Sequence, residues 1–234
     1  MMQSLALTVV PGAPPAADER REPGRLVTVE RDGCRAYVLP PPDVDPARPL
    51  PLVVVLHGAG RQDELLVRGY ADEPASRNAL VVVLRSFRQT WDLIAGGAGE
   101  DLAFLGWVLG WIAARWPVDP ARRALLGYSD GASYALSVGL SNPKHFAAVM
   151  CWAAGFIAVD TANLVPDDPK PRILLEHGTQ DQLFPFERVA MPMREALTRA
   201  GFDVTFRVDE GGIHWPSPAF QPAALDWFLG PAAG

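Results

Sequence analysis

The chain has 234 residues, enough for one domain with a substantial core. Its 49% hydrophobic and 21% charged composition is that of a globular protein rather than a disordered one. A net charge of -6 argues against a nucleic-acid partner or an anionic membrane surface. The cysteines, Cys34 and Cys151, are too few for a disulfide framework or a thiolate metal site and read as small buried hydrophobes; no metal and no organic cofactor is expected.

Taken in order, Leu5-Ala6-Leu7-Thr8-Val9-Val10 is apolar but has no basic residues ahead of it and soon meets Pro11, Pro14 and Pro15. That is a poor secretory signal, and no apolar run is long enough to span a bilayer. The reading is a cytoplasmic protein, with export left open. Residues 1–24 are an N-terminal arm, mobile or loosely packed over 11–24, ahead of one domain over 25–234.

Leu26–Glu30 and Arg35–Leu39 flank Asp32-Gly33, a hairpin signal. After the proline-rich stretch Pro40–Pro51, Leu52–Leu56 and Ala79–Leu84 are continuous apolar strands of the kind buried on both faces of a parallel sheet. Asp101–Arg115 is a helix whose apolar face packs on that sheet. Arg123–Leu126 is a strand and Ala132–Leu140 a helix. Phe146–Cys151 and Arg172–Glu176 are strands, and Glu187–Ala200 is a helix closed by Gly201. Val204–Val208 is the last strand and Pro222–Leu229 the last helix. After a short antiparallel opening, strands and helices alternate. That predicts an α/β fold with a mostly parallel central sheet, an N-terminal antiparallel hairpin and helices on both faces.

Between the strand at Arg123–Leu126 and the helix at Ala132–Leu140 lies Gly127-Tyr128-Ser129-Asp130-Gly131. A G-x-S-x-G at such a junction is the nucleophile-elbow pattern: the glycines permit a sharp turn that leaves the serine hydroxyl exposed at a helix N-terminus. A serine hydroxyl is a weak nucleophile that needs a base, and the base an orienting acid. Of the histidines after Ser129 (His145, His177 and His214), His214 follows the last predicted strand, where loops converge on the sheet's C-terminal edge. His177 reads as structural, beside a tight glycine turn. For the acid, Asp181 in His177-Gly178-Thr179-Gln180-Asp181 leaves the same edge; Asp209 and Glu210 are the fallback. Two backbone donors are needed for an oxyanion. The Asp130 N–H, next to the serine, is one, and the Ala59 N–H in His57-Gly58-Ala59-Gly60 is the other. The Asp130 side chain itself reads as a helix cap or specificity group. Trp91, Trp152, Phe156, Phe184 and Trp215 are candidate pocket walls, with Asp92, Arg85, Ser86 and Arg88 near Trp91.

These residues carry a resemblance. Leu56-His57-Gly58-Ala59-Gly60, Thr90-Trp91-Asp92, Gly127-Tyr128-Ser129-Asp130-Gly131, His177-Gly178-Thr179-Gln180-Asp181 and Ile213-His214-Trp215-Pro216 are similar to motifs of the α/β-hydrolase superfamily. Within it, the chain resembles the phospholipase/carboxylesterase group and the dienelactone-hydrolase and polyhydroxybutyrate-depolymerase-like esterases. It differs from dienelactone hydrolases in having Ser rather than Cys at the elbow, and from many acyl-protein thioesterases in carrying Asp130 where they use Gln. The resemblance implies an α/β-hydrolase fold and hydrolysis of a small-molecule ester through an acyl-enzyme, with Ser129, Asp181 and His214 as the triad. An acyl-thioesterase or lysophospholipase would use the same residues, and a non-catalytic hydrolase-fold binding protein is the rival from another class.

Overall fold

The strands of this chain are runs of Val, Leu, Ile and Ala, which suit a surface buried on both sides. The computed structural model describes residues 5–14, 24–97, 99–159 and 169–232. Its strands are β1 (Val27–Arg31), β2 (Cys34–Leu39), β3 (Leu50–Leu56), β4 (Leu80–Arg85), β5 (Val118–Tyr128), β6 (Ala148–Trp152), β7 (Arg172–Gly178) and β8 (Val204–Asp209). They form one eight-stranded sheet in the order β1-β2-β4-β3-β5-β6-β7-β8. Both pairings of β2 are antiparallel and those from β4 to β8 are parallel. The β1–β2 turn places Asp32 at φ 53° and Gly33 at φ 84°, the left-handed pair that a two-residue hairpin requires.

Alternate residues of β3 show how the layers form. Leu52, Val54 and Leu56 join one core cluster, while Val53 and Val55 join the other. Helices α4 (Glu100–Ala113), α5 (Asp130–Ser141) and α6 (Ala190–Arg199) supply the first cluster, and α7 (Phe220–Leu229) packs into the second. Each aliphatic side chain fully withdrawn from water in these layers stabilises the fold by about 1.5–3 kcal/mol. Cys34 and Cys151 are free and buried, as expected of small hydrophobes.

Three short helices had no signal in the sequence: α1 (Asp63–Gly69), α2 (Glu73–Arg77) and α3 (Asp92–Ala95). Each is too short to build an apolar stripe. Strand β5 also begins earlier than expected, at Val118, with a register shift between its pairings to Leu50 and Leu52. Asp119, Pro120 and Arg122 obscure that irregular start. Helix α6 starts at Ala190 rather than Glu187, with Pro192 in its first turn, where the missing N–H does no harm.

The described part of the N-terminal arm is docked rather than loose. Leu5 and Leu7 are buried in the first core cluster. The Leu7 N–H donates to Asn142 Oδ1 at 2.7 Å, and Asn142 Nδ2 donates to the Leu5 carbonyl at 2.8 Å. The segment then runs over Gly106 and Gly110 of α4, where any Cβ would collide with the Thr8 or Val10 carbonyl. Arg115 Nη1 donates to the Ala13 carbonyl at 3.2 Å. Residues 1–4 and 15–23 of the expected arm lie outside the described residues. Among the described residues no helix is long and apolar enough to cross a membrane.

Candidate active site

Strand β5 delivers the chain into a sharp turn at Ser129, which adopts φ 53° and ψ −115° as the residue just before α5. L-residues resist that conformation, so the surroundings must impose it. They do so by close approach: a Cβ on Gly127 would strike the Gly131 carbonyl, and one on Gly131 would strike the Leu56 and His57 carbonyls. The Ser129 N–H donates to the Trp152 carbonyl at 2.8 Å, tying the turn to the end of β6. Both glycines of the motif are therefore required by contacts with backbone, which cannot yield.

Ser129 Oγ lies 2.8 Å from His214 Nε2, and His214 Nδ1 lies 2.6 Å from Asp181 Oδ2. A carboxylate only accepts, so Nδ1 donates to Asp181 and the neutral ring's Nε2 is left to accept from the serine hydroxyl. Asp181 is buried, and its Oδ1 accepts the Leu183 and Phe184 N–H groups, each at 2.8 Å. That leaves Oδ2 for the histidine. Phe184 packs edge-on against the His214 ring with centroids 5.0 Å apart, which fixes its plane from the side.

The loop after β7 meets the loop after β8 through their glycines. A Cβ on Gly178 would collide with the Gly212 carbonyl; the Gln180 N–H donates to that carbonyl at 2.8 Å, and the Thr179 N–H to the Asp209 carbonyl at 3.0 Å. This cross-linking carries Asp181 to His214. The Asp209 side chain lies beside Gly212 instead. His177 is buried, and its Nε2–H donates to the Phe184 carbonyl at 2.8 Å with Asp181 Oδ2 at 3.2 Å. Burial holds its pKa below the usual imidazole range.

Ser129 and His214 open onto a cleft of about 620 Å³. One wall is α1, with Leu65, Leu66 and Arg68; the other is Trp215 to Pro218 and the start of α7 at Phe220 and Gln221. Gly58 and Ala59 form its rim beside the serine, and a Cβ built on Gly58 would touch the Ser129 Cβ at 3.5 Å. Tyr128 and Trp152 form the floor, both edge-on to Phe220 with centroids 5.4 Å away. The Tyr128 hydroxyl is paired with that of Tyr70 at 2.7 Å.

Of the five aromatics expected at the pocket, Trp152 and Trp215 line this cleft. The other three are placed elsewhere. Trp91 is 1% exposed and packed between His57 and Tyr134, so the core consumes its surface. Phe184 packs edge-on against His214 and covers Gly155, whose added Cβ would overlap its ring. Phe156 is partly exposed beyond the cleft. Tyr128, Leu65, Leu66 and Phe220 were missed. Tyr128 sits inside the motif and could have been suspected, whereas the α1 and α7 residues have no local signal.

Among protein-family models, Esterase, described as "Putative esterase", matches residues 32–200. The chain is 29% identical over 162 residues to "Probable feruloyl esterase C" of Aspergillus niger, covering 65% of this chain and 57% of that protein. It is 28% identical over 176 residues to feruloyl esterase C of Emericella nidulans, covering 71% and 62%. The chain thus spans about three fifths of the length of these curated relatives. Among solved structures, a CE1 ferulic acid esterase from Anaeromyces mucronatus, in complex with ferulic acid, superposes with a TM-score of 0.67 at 15% identity, covering 97% of this chain and 98% of that one. An S-formylglutathione hydrolase from Staphylococcus aureus gives 0.64 at 16% identity, covering 82% and 89%. An enzyme described as an alpha/beta hydrolase, from a deep-sea metagenome library, gives 0.57 at 18% identity, covering 83% and 85%. The sheet order and these likenesses make the fold that of the α/β-hydrolases, and the match over residues 32–200 establishes that the chain belongs to the Esterase family.

Proposed function

We propose that this protein is a serine carboxylesterase that works through an acyl-enzyme. The observation that carries the reading is the unbroken line from Ser129 Oγ through His214 to Asp181, at 2.8 and 2.6 Å, opening onto a cleft. Ser129 attacks the ester carbonyl as His214 Nε2 takes its proton. The tetrahedral oxyanion is received by the Ala59 and Asp130 N–H groups, the first from the rim beside the serine and the second from the start of α5. Collapse breaks the bond to the alcohol, which leaves with the proton from His214. Water then repeats the sequence on the acyl-enzyme, releasing the acid and restoring Ser129. Asp181 keeps the histidine in the required tautomer and stabilises the imidazolium. No residue of this scheme calls for a metal or an organic cofactor.

The lining of the cleft supports a reading of the substrate class. Its walls and floor of Leu65, Leu66, Tyr128, Trp152, Trp215 and Phe220 favour a flat apolar or aromatic group next to the ester, such as the feruloyl group in the names of the curated relatives. A fluorophosphonate read by intact mass, followed by turnover of p-nitrophenyl esters and methyl ferulate, tests both levels. One adduct, on Ser129, with short-chain and aromatic acyl esters turned over faster than long-chain ones, is the expected result. Rates that rise with chain length would favour a lysophospholipase or thioesterase. Folded protein that gives neither adduct nor turnover would refute the esterase reading. Ser129→Ala should abolish turnover while leaving the fold intact.

A further inference from the structure

The two oxyanion donors sit on separate elements, Ala59 in the loop after β3 and Asp130 at the start of α5. Their usefulness depends on their spacing, because such donors act through preorganisation rather than by moving toward the charge. One segment touches both elements: residues 86–91, the loop from β4 to Asp92 at the start of α3. Resting on the esterase reading above, we propose that this loop is a clamp that sets the spacing of the oxyanion hole, with Thr90 and Trp91 as its positioning residues.

Each side of the hole has its own tethers. On the Ala59 side, Trp91 Nε1–H donates to the His57 carbonyl at 2.9 Å, and the Gly60 N–H donates to the Gln89 carbonyl at 2.9 Å. The loop is thus pinned on both flanks of Gly58-Ala59. The His57 ring adds a third fixing point. Its Nε2 accepts the Ser86 N–H at 3.1 Å, so its Nδ1 carries the proton and donates to the Gly58 carbonyl at 2.6 Å. On the other side, Thr90 Oγ1–H donates to Asp130 Oδ2 at 2.7 Å, holding the residue whose N–H is the second donor. Thr90 and Trp91 are adjacent, so one short piece of backbone registers the two halves against each other.

The clamp is itself anchored. Trp91 is almost fully buried, stacked on Tyr134 of α5 at 5.0 Å and tilted against His57 at 4.8 Å. Asp101 accepts the Phe87 N–H and the Asp92 N–H, each at 2.7 Å, while Asp92 Oδ2 accepts the Asp101 N–H at 3.0 Å. Both ends of the loop are thereby fastened to the start of α4. The Thr90-Trp91-Asp92 sequence has a single rationale here: a hydroxyl for α5, an indole for the β3 loop, and a carboxylate for α4.

A purely structural role would show in stability and not in transition-state binding, which gives the test. Thr90→Val removes the hydroxyl donor at constant shape, Thr90→Ser retains it, and Trp91→Phe removes the indole N–H while keeping a ring. The readouts are kcat and KM for p-nitrophenyl acetate, and the inhibition constant of a trifluoromethyl ketone, whose hemiketal oxyanion occupies the place of the intermediate's. Thr90→Val and Trp91→Phe should each lower kcat by about ten- to a hundredfold with KM little changed, the range of small misplacements near reacting atoms. They should weaken the ketone by a similar factor, and Thr90→Ser should restore both. Wild-type kcat and ketone affinity in folded Thr90→Val would overturn the clamp even if Trp91→Phe fails to fold. Equal losses in Thr90→Val and Thr90→Ser would overturn it as well. Parent protein that neither hydrolyses the ester nor reacts with a fluorophosphonate would instead overturn the esterase reading beneath it.

Discussion

Ser129 is held at φ 53° and ψ −115°, where a residue with a Cβ is strained by about 1–3 kcal/mol. Glycine carries no such strain, so Ser129→Gly and Ser129→Ala should part company. Both lose turnover, but the glycine variant should unfold at higher urea than the alanine variant, by about 1 kcal/mol in stability. Equal midpoints would mean that the turn is not strained. Asp181 makes a second residue-level prediction. Its Oδ1 is taken by the Leu183 and Phe184 N–H groups, leaving Oδ2 for His214. Asp181→Asn places an amide donor against one of these donors, or turns His214 to the wrong tautomer. The expected loss in kcat is about a thousand- to ten-thousandfold. Asp209→Asn and Glu210→Gln should stay close to the parent in the same assay, since His214 Nδ1 faces neither.

At the scale of elements, α4 is a helix with a groove. Gly106 and Gly110 lie on one face, four residues apart, and the backbone of Thr8 to Gly12 fills the space their missing side chains leave. Helical glycine normally costs stability relative to alanine by about 1 kcal/mol. Here the sign should reverse. Gly110→Ala would push its methyl into the Val10 carbonyl, and Gly106→Ala would do the same to Thr8. Each should destabilise by about 1–3 kcal/mol, the cost of overpacking, and should speed hydrogen exchange at the Leu7 amide, which is bonded to Asn142. Urea unfolding and amide exchange read the two effects separately.

For the whole molecule, buried imidazoles tie stability to pH. His57 and His177 are both held below the usual histidine pKa of 6.5, mainly by burial. Below about pH 6.5 the unfolded chain therefore takes up protons at these positions that the folded chain does not. Their contribution is complete above that pH and is lost as pH falls through the folded-state pKa values. Asp101 acts in the opposite sense. Burial raises its pKa to about 6, so the folded form binds its proton more tightly and stability declines as pH rises from about 4 to 6. In urea titrations the stability gained between pH 5.5 and 7.5, about one pH unit either side of the histidine value, should shrink in His177→Gln. An unchanged slope would mean that His177 is not a source of the dependence.

Much of this protein was legible along the chain because its signals are local. The apolar runs at Leu52–Leu56 and Ala79–Leu84 identify buried parallel strands, and Asp32-Gly33 identifies the hairpin. The strand–G-x-S-x-G–helix order marks Ser129, and the position of His214 after the last strand marks its partner. Asp181 could be ranked above Asp209 only by its place at the sheet edge. What actually joins it to His214 is the contact of Gly178 with Gly212, thirty-odd residues away in sequence. The cleft walls, the burial of Leu5 and Leu7 in the first core cluster, and the burial of Trp91 depend on surfaces brought together from distant segments. Hydrophobic period and turn chemistry act between neighbours, so the sequence alone determines the longer strands and helices, their order and the turn that presents Ser129, but not the short helices α1, α2 and α3. Which side of an indole faces a cavity, and which carboxylate reaches an imidazole, depends on packing between elements, and only the tertiary structure decides it.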